Sequence, residues 1–193
     1  LCPQGVDGTR CSQGFIMNKP RTTSSLNMTK KVTASSSDID GYVDLGSTRT
    51  VADGDAFSLC VWLKPDDLES NNYFIGGGAE DFVKIQSSQT IIVGVPSFTG
   101  TFTINAITAK EWVHVAIVKK ASDDVGSIYI NGDLINSTID FDDKAFDYRY
   151  IGARQTDAYT FRGQVDGTLI YNDELTGPEV LRNYKATKGS HRN

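Results

Sequence analysis

Acidic side chains are the residues of this sequence that come nearest to a known catalytic pattern. A retaining glycoside hydrolase needs two carboxylates about 5 Å apart, one as nucleophile and one as acid. The nearest acidic pair at a strand edge is Glu80 and Asp81. Adjacent residues of an extended strand point to opposite faces, so these carboxylates cannot act together on one bond. The sequence therefore predicts no glycan hydrolysis.

Histidine and glycine patterns give no stronger case for catalysis. His114 lies in the apolar segment "EWVHVAIVKK", which indicates a packed core or rim histidine, with a Ser-His-Asp triad as the less favoured alternative. The glycine-rich "IGGGAED" leads into a strand and not into a helix, so it lacks the phosphate-cradling pattern. His114 and His191 do not have the spacing of zinc ligands. We therefore predict that the protein is not an enzyme and has no catalytic residues.

Cysteines and sequons bear on the compartment of the protein. Cys2 and Cys11 bracket a short polar segment and would close a small disulfide loop in an oxidising compartment, or stay two free thiols in a reducing one. Cys60, inside "FSLCVWL", is predicted to be a buried apolar residue. Asn27 and Asn136 begin glycosylation sequons. Together these features predict an extracellular location or one on a particle or cell surface.

Composition excludes several classes of partner. The chain has 193 residues, 39% of them hydrophobic, and a formal net charge of -5. That length suits one domain with a core, and the negative charge argues against a nucleic-acid-binding face. No apolar run approaches the roughly 18 to 20 residues that span a bilayer, so membrane insertion is not expected. The first residue is Leu1 and not Met, which fits either a removed leader or a fragment.

Short strands separated by turns fill the chain from Ser37 onwards. Each is rich in β-branched and aromatic residues and is bounded by Gly, Asp, Asn or Ser, which is typical of an all-β sandwich or barrel. One strand is predicted to be covered on both faces, because its two alternating sets are both apolar. Asn131 and Gly132 form a hairpin turn signal. The segment "LTGPEVLRNYKA" predicts one short helix near residues 176–185.

Four segments, in order, resemble the concanavalin A-like, laminin-G-like family of sandwiches. They are "DIDGYVDLG", "DAFSLCVWLKPDD", "EWVHVAIVKK" with "GSIYINGDLI", and "YIGARQTDAYTFRGQVDGTLIYNDELTGPEVLRNY". The resemblance covers roughly Ser37 to Ala186 and is similar to pentraxins in its closing segment. It implies a two-sheet antiparallel jelly-roll sandwich with one short C-terminal helix. The Glu-x-Asp-x-x-Glu string of glucanases with this fold does not occur here.

The domain boundaries follow from that resemblance. We expect an N-terminal arm or loosely packed segment over residues 1–33, a laminin-G-like jelly roll over 34–188 and a polar tail over 189–193. The arm has few large apolar side chains, and it carries basic residues in an otherwise acidic chain. It is therefore predicted to be mobile unless the sandwich or a neighbouring copy of the chain holds it.

The same resemblance implies a calcium site. "GGGAEDFVKIQ" resembles the strand on which pentraxins and laminin-G domains present an acidic ligand, and Asp81 falls there. Gln155 and Asp157 fall where pentraxins supply a second acidic and amide cluster. Calcium takes six to eight oxygen ligands, which such residues can provide. Arg154 departs from the pentraxin pattern, because a guanidinium there would weaken or replace the cation. The alternative is that Asp81, Gln155 and Asp157 are turn-forming loop residues.

A saccharide site would need exposed aromatic rings for stacking and polar groups for hydroxyls. The predicted ligand-binding residues are Tyr73, Glu80, Tyr159 and Phe161, all near the same rim. The first functional hypothesis is therefore a non-catalytic recognition module that binds a glycan or a protein partner, with calcium assisting. The alternative is a structural surface protein, such as a capsid decoration or fibre subunit, that forms homo-oligomers through residues 1–33. A glycoside hydrolase is the third and least supported.

Overall fold

The structure is a computed structural model that describes most of the chain beyond its N-terminal segment. The described stretches are residues 26–28, 42–68, 71–96, 98–104, 107–121, 125–141, 144–155 and 158–191. Cys2, Cys11 and Asp157 lie outside the described residues, as does most of the predicted arm over 1–33. The predictions of a disulfide and of an ordered or mobile arm therefore remain predictions.

Within these stretches the strands form two six-stranded antiparallel sheets and one separate hairpin. The first sheet runs from edge to edge as β1 (Leu26–Met28), β14 (Gly163–Tyr171), β3 (Phe57–Pro65), β8 (Val113–Lys119), β9 (Val125–Ile130) and β10 (Asp133–Asp140). The second runs as β2 (Val43–Val51), β11 (Phe146–Ile151), β4 (Asn72–Gly76), β5 (Phe82–Ser87), β6 (Thr90–Val95) and β7 (Phe98–Thr103). The hairpin pairs β12 (Ala153–Gln155) with β13 (Ala158–Thr160). The predicted two-sheet antiparallel sandwich is confirmed.

The main hydrophobic core lies between the two sheets. Alternating side chains of β3, among them Leu59 and Leu63, meet Phe74 of β4 and Ile85 of β5, and each of the four is at most 1% exposed. This packing follows from strand geometry, because every second side chain of a strand points to the same face. The remaining side chains of each strand point to the outer faces of the two sheets.

A short helix covers the outer face of the first sheet. The helix α1 (Gly177–Thr187) begins after Thr176, whose backbone N–H and hydroxyl both donate to a carboxylate oxygen of Glu179. Its buried Val180 packs in a second cluster with Cys60 and Tyr129. The prediction of one short C-terminal helix is confirmed, and the covering explains why β3 is apolar on both faces. Among the described residues, no helix is long and apolar enough to cross a membrane.

Two hairpins join β8, β9 and β10 of the first sheet, and the second has the predicted turn. Strands β8 and β9 pair antiparallel, and β9 pairs with β10 across Asn131 and Gly132. These two turn residues have φ angles of 53° and 87°, which asparagine and glycine tolerate better than other residues. The edge strand β1 lies within the predicted arm, and Leu26 there pairs with Val165 of β14. Residues 26–28 therefore belong to the sandwich itself.

Candidate functional site

Several of the predicted binding residues meet on the outer face of the second sheet. Tyr73 lies on β4, and its ring centroid is 5.4 Å from that of Tyr159 on β13. Asp81 directly precedes β5, and its carbonyl oxygen accepts a hydrogen bond from Gly77 N–H over 3.0 Å. Glu80 is exposed beside it. The structure therefore brings Tyr73 and Tyr159 together, and the prediction that they and Glu80 bind a ligand remains a prediction.

The β12–β13 hairpin is held against β4 by backbone contacts. Gly152 N–H donates to Phe74 carbonyl oxygen over 2.9 Å, and Phe161 N–H donates to Gly152 carbonyl oxygen over 2.8 Å. Gly76 of β4 lies directly under Arg154, and a Cβ atom at Gly76 would stand 2.5 Å from both the Cα and the carbonyl oxygen of Arg154. Only glycine allows the two backbones to approach so closely.

Two cations lie over three aromatic rings on this face. We call the set Tyr73, Phe82, Lys84, Arg154 and Tyr159 the basic aromatic patch. The Arg154 guanidinium carbon lies 5.1 Å from the ring centroid of Tyr159, 5.3 Å from that of Phe82 and 5.8 Å from that of Tyr73. Lys84 Nζ lies 5.1 Å from the Tyr73 centroid and 6.0 Å from that of Phe82. These distances fall within the range of cation–π attraction.

Strand register places Lys84 in the patch. Val83 and Ile85 on either side of it point into the core, so Lys84 points outwards. It stands opposite Tyr73 of β4 and Ile92 of β6, and Ile92 stands opposite Thr101 of β7. Directly opposed residues share a face, so these four form a row across the sheet. The row begins at Tyr73, beside the β12–β13 hairpin, and ends at the exposed Thr101.

Asp81 is partly withdrawn from water. Its carboxylate oxygen Oδ1 accepts a hydrogen bond from Asp147 N–H over 3.1 Å. Burial raises the pKa of Asp81 most, the hydrogen bond from Asp147 acts against that rise, and the charges of Asp147 and Glu80 add to it. The carboxyl therefore holds part of β11 in place, and its remaining lone pairs are what a cation would use.

The predicted calcium site cannot be built from the described residues alone. Among them, no group of three or more His, Cys, Asp or Glu side chains is placed to hold a metal ion. Gln155 is half-buried in β12, and Asp157 lies outside the described stretches. Calcium needs six to eight oxygens, of which Asp81 would supply two at most. Calcium binding near Asp81 and Asp157 therefore remains a prediction.

Any calcium that binds the folded chain at this position is expected to raise the melting temperature. At a hundredfold excess over the dissociation constant, binding to the folded state alone adds about 2.7 kcal/mol of stability. Replacing Asp81 with alanine should abolish this shift, while replacing the exposed Asp133 of β10 should leave it intact. Differential scanning fluorimetry with calcium and with chelator measures both. A full calcium-induced shift in the Asp81→Ala variant would place the ion elsewhere.

The ring of Phe161 takes no part in the exposed face. Its side chain is 0% exposed and belongs to the core cluster between the sheets. The backbone turns between β13 and β14, which directs this ring inwards and leaves Tyr159 at the surface. Phe161 therefore has no ring face to offer a saccharide. Tyr73 is itself only 3% exposed, because cations and neighbouring rings cover it, so the accessible aromatic surface belongs to Tyr159.

Histidines lie on the opposite side of the molecule, under the C-terminal helix. His114 is 2% exposed, which confirms the prediction of a packed histidine. His191, expected in a polar tail, is buried and stacks on Trp62 with ring centroids 4.3 Å apart. Its Nε2 lies 2.8 Å from Asp166 Oδ2 and its Nδ1 lies 2.9 Å from the carbonyl oxygen of Thr187. Both ring nitrogens are therefore occupied by contacts with these two oxygens.

Cys60 and the sequons complete the predicted set. Burial raises the pKa of the Cys60 thiol to about 11, so this cysteine is an inert packing residue as predicted. Asn136 lies on β10, where its side-chain oxygen accepts hydrogen bonds from the backbone N–H and the hydroxyl of Thr138. Asn27 lies in the edge strand β1. Glycosylation at Asn27 and Asn136 remains a prediction.

Sequence reasoning missed the cationic half of the patch. It treated Arg154 only as a departure from an acidic pattern and did not single out Lys84 or Phe82. The alternation of "DFVKIQ" does place Phe82 and Lys84 on one face of a strand. Their contact with Tyr73 depends on the β4–β5 register, which carries an irregularity between Tyr73 and Ile75. A sequence pattern alone does not reveal that irregularity.

Comparison with known proteins gives a family match. Residues 36–181 match a family model described as the concanavalin A-like lectin/glucanases superfamily. A search of curated proteins gives no match. The matched residues span most of the chain and include every strand from β2 to β14.

Solved structures share the fold at low sequence identity. Domain 4 of AbnA, an extracellular arabinanase from Geobacillus stearothermophilus solved with arabinotriose, has a TM-score of 0.54 and 19% identity over 75% of each chain. A heptameric pentraxin from Limulus polyphemus has a TM-score of 0.53 and 18% identity over 72% of this chain and 73% of that one. The botulinum neurotoxin serotype G binding domain has a TM-score of 0.53 and 15% identity over 76% and 40%. At these identities the likeness shows a shared fold alone.

Proposed function

The chain belongs to the concanavalin A-like lectin/glucanases superfamily, and on that premise we propose that it is a non-catalytic module that binds carbohydrate. The single observation that carries the proposal is the basic aromatic patch, in which Tyr159, Lys84 and Arg154 converge on one open sheet face. Aromatic rings pack against the apolar faces of sugars, and neighbouring polar groups bind their hydroxyls.

The row across the second sheet supports an extended ligand. From the half-buried Tyr159 the face continues through Lys84 and Ile92 to the exposed Thr101. Neighbouring strands lie about 4.8 Å apart, so three strands span a distance comparable to a few sugar units. An oligosaccharide lying across the strands would therefore contact the ring, the cation and the hydroxyl in turn.

The chemistry of the remaining groups supports binding without catalysis. Asp81 holds Asp147 N–H, and the buried His191 uses both ring nitrogens in structural hydrogen bonds. Asp166 lies on β14 of the first sheet, and His191 stacks on Trp62 of β3, away from the patch. A hydrolase would need a carboxylate pair facing one bond, which these positions do not supply.

We include in this proposal that the protein is located outside the cell or on the surface of a cell or particle. The superfamily match supports it, as does the AbnA domain, which comes from an extracellular enzyme and was solved with an oligosaccharide. The structural-protein alternative assigns residues 1–33 to an arm that reaches a neighbouring copy. Residues 26–28 instead pair with β14 of the same chain, which favours the recognition module.

Isothermal titration of the full chain against a saccharide panel tests the proposal. We expect binding to at least one oligosaccharide without release of reducing ends. Tyr159→Ala should weaken that binding about tenfold, as expected for loss of a central aromatic contact. Tyr42→Ala is the matched control, because Tyr42 packs edge-to-face on Tyr150 outside the patch. Failure of every saccharide to bind, or hydrolysis of one, would contradict the proposal.

A further inference from the structure

Among the described residues, no carboxylate forms an ion pair with Lys84 or Arg154. Elsewhere in the described part of the chain, Arg149 pairs with Asp44 over 2.8 Å and Arg162 pairs with Asp67 over 2.7 Å. Within the described part of the chain, the Lys84 ammonium lies over two aromatic rings, and Arg154 adds one hydrogen bond, from its Nε to the carbonyl oxygen of Gly78 over 3.3 Å. In a chain of net charge -5, the patch thus brings two cations over the same two rings, Tyr73 and Phe82.

Aromatic rings hold these cations in place without using their hydrogen-bond donors. Tyr73 and Phe82 are 3% and 8% exposed, so both rings are fixed by packing. Each lies within 6.0 Å of both cationic groups. A ring face attracts positive charge but accepts no strong hydrogen bond, so the Lys84 ammonium and the terminal nitrogens of Arg154 keep donors for a ligand.

Backbone strain at the hairpin points to the same place. Tyr159 has a φ of 68°, in the left-handed region that non-glycine residues seldom adopt. This conformation sets its ring 5.1 Å from the Arg154 guanidinium and 5.4 Å from the Tyr73 ring. Strained residues persist where surrounding contacts fix them, and they concentrate at binding sites. The strain and the two unpaired cations are independent observations on one patch.

We propose that the basic aromatic patch selects acidic saccharides, with a carboxylate or sulfate bound by Lys84 and Arg154 and the sugar ring against Tyr159. The proposal rests on the proposed carbohydrate-binding function and specifies the class of ligand. Guanidinium and ammonium groups form short, charge-assisted hydrogen bonds with carboxylate and sulfate oxygens. A neutral sugar would leave both charges unmatched. Arg154 therefore takes the place of a bound cation as the positive group of the site.

Pairs of saccharides that differ only in charge test whether the charge of the ligand determines binding. Polygalacturonate oligosaccharide and its fully methyl-esterified form share a backbone, and sulfated dextran and dextran share another. We expect the full chain, in calorimetric titration with chelator present, to bind at least one charged form at least about tenfold more tightly than its neutral counterpart. Binding should weaken as salt rises, because the cations are partly exposed. Comparison of the two charged ligands separates carboxylate from sulfate.

Substitutions test whether the basic aromatic patch causes the tighter binding of the charged saccharide. Lys84→Met and Arg154→Gln should each weaken binding of the charged ligand about tenfold and weaken any binding of the neutral form by less. Arg149→Met is the matched control, because Arg149 also lies over a tyrosine ring of the second sheet but is paired with Asp44. Circular dichroism and melting confirm folding.

Two failures are distinguishable. Equal binding of charged and neutral forms, or an equal loss in Arg149→Met, overturns the selection of acidic saccharides and leaves the carbohydrate-binding module standing. Failure of all four ligands to bind overturns the acidic-saccharide proposal, and the wider neutral panel then decides on the proposed function.

Discussion

Replacing Gly76 with alanine is expected to lower the free energy of unfolding by about 3 kcal/mol and to weaken ligand binding at the basic aromatic patch. The added Cβ would stand 2.5 Å from both the Cα and the carbonyl oxygen of Arg154 and 2.9 Å from the carbonyl oxygen of Ala153. All three are backbone atoms, so no side-chain rotation relieves the contact. The β12–β13 hairpin must move away from β4.

That movement reaches the binding residues directly. Arg154 sits on β12 and Tyr159 on β13, so displacement of the hairpin separates the guanidinium and the tyrosine ring from Tyr73 and Phe82. Loss of stability and loss of binding should therefore appear together in Gly76→Ala. A substitution that affected the core alone would lower stability without weakening ligand binding.

Gly78→Ala is the matched control two residues away. A Cβ at Gly78 would meet nothing within 4 Å, and neither glycine has a positive φ. In urea unfolding and in thermal melting, Gly78→Ala should be about as stable as the native chain. The melting temperature of Gly76→Ala should be about 6 to 12 °C lower in a domain of this size. Equal stability of the two variants would show that the hairpin adjusts without cost and would contradict the account of the β4–β12 contact.

The sandwich was predictable because its causes are local in sequence. The alternation in β3, the turn at Asn131–Gly132 and the capped helix from Gly177 each follow from a short stretch of residues. The buried Cys60 follows from the same pattern, since α1 must cover the apolar outer face of β3. Strand period, turn chemistry and capping suffice for these features.

The site was predictable only in part because it depends on register and on close backbone approach. Tyr73, Glu80 and Tyr159 were identified as rim residues, but Lys84 joins Tyr73 only through the β4–β5 pairing. The Phe161 ring points inwards and the Tyr159 ring outwards because Tyr159 has a positive φ angle. A tyrosine in the sequence does not predict such an angle. The His191–Asp166 contact joins the C-terminus to β14, 25 residues away in sequence.

Acidification from pH 7 to pH 4 is expected to cost the folded state about 3 kcal/mol through His114 alone. Burial, and to a smaller extent the electrostatic influence of the neighbouring His191, lower the pKa of His114 from 6.5 to about 4. The side chain is 2% exposed and packs between Trp62 and Tyr184. Among the described residues its Nδ1 has no hydrogen-bond partner, so nothing compensates a charge there.

The direction of the effect follows from proton binding. Between about pH 6.5 and pH 4 the unfolded chain binds a proton at His114 and the folded chain does not. Stability from the neutral ring is therefore complete above pH 6.5 and is lost as the pH falls towards 4. The loss should release the C-terminal segment first, because Trp62 also donates a hydrogen bond to Thr187 and stacks on His191.

Replacing His114 with phenylalanine removes the titration and keeps an aromatic ring beside Trp62. Urea unfolding of both proteins at pH 7, 6, 5 and 4 gives two stability curves, and their difference should grow by about 3 kcal/mol on acidification. Comparison of slopes cancels the carboxylates that titrate in both proteins, as well as any packing cost of the larger ring. Parallel curves would mean that His114 has the same pKa in the folded and unfolded chain. Protonation of His114 would then not disturb the packing of α1 on the first sheet.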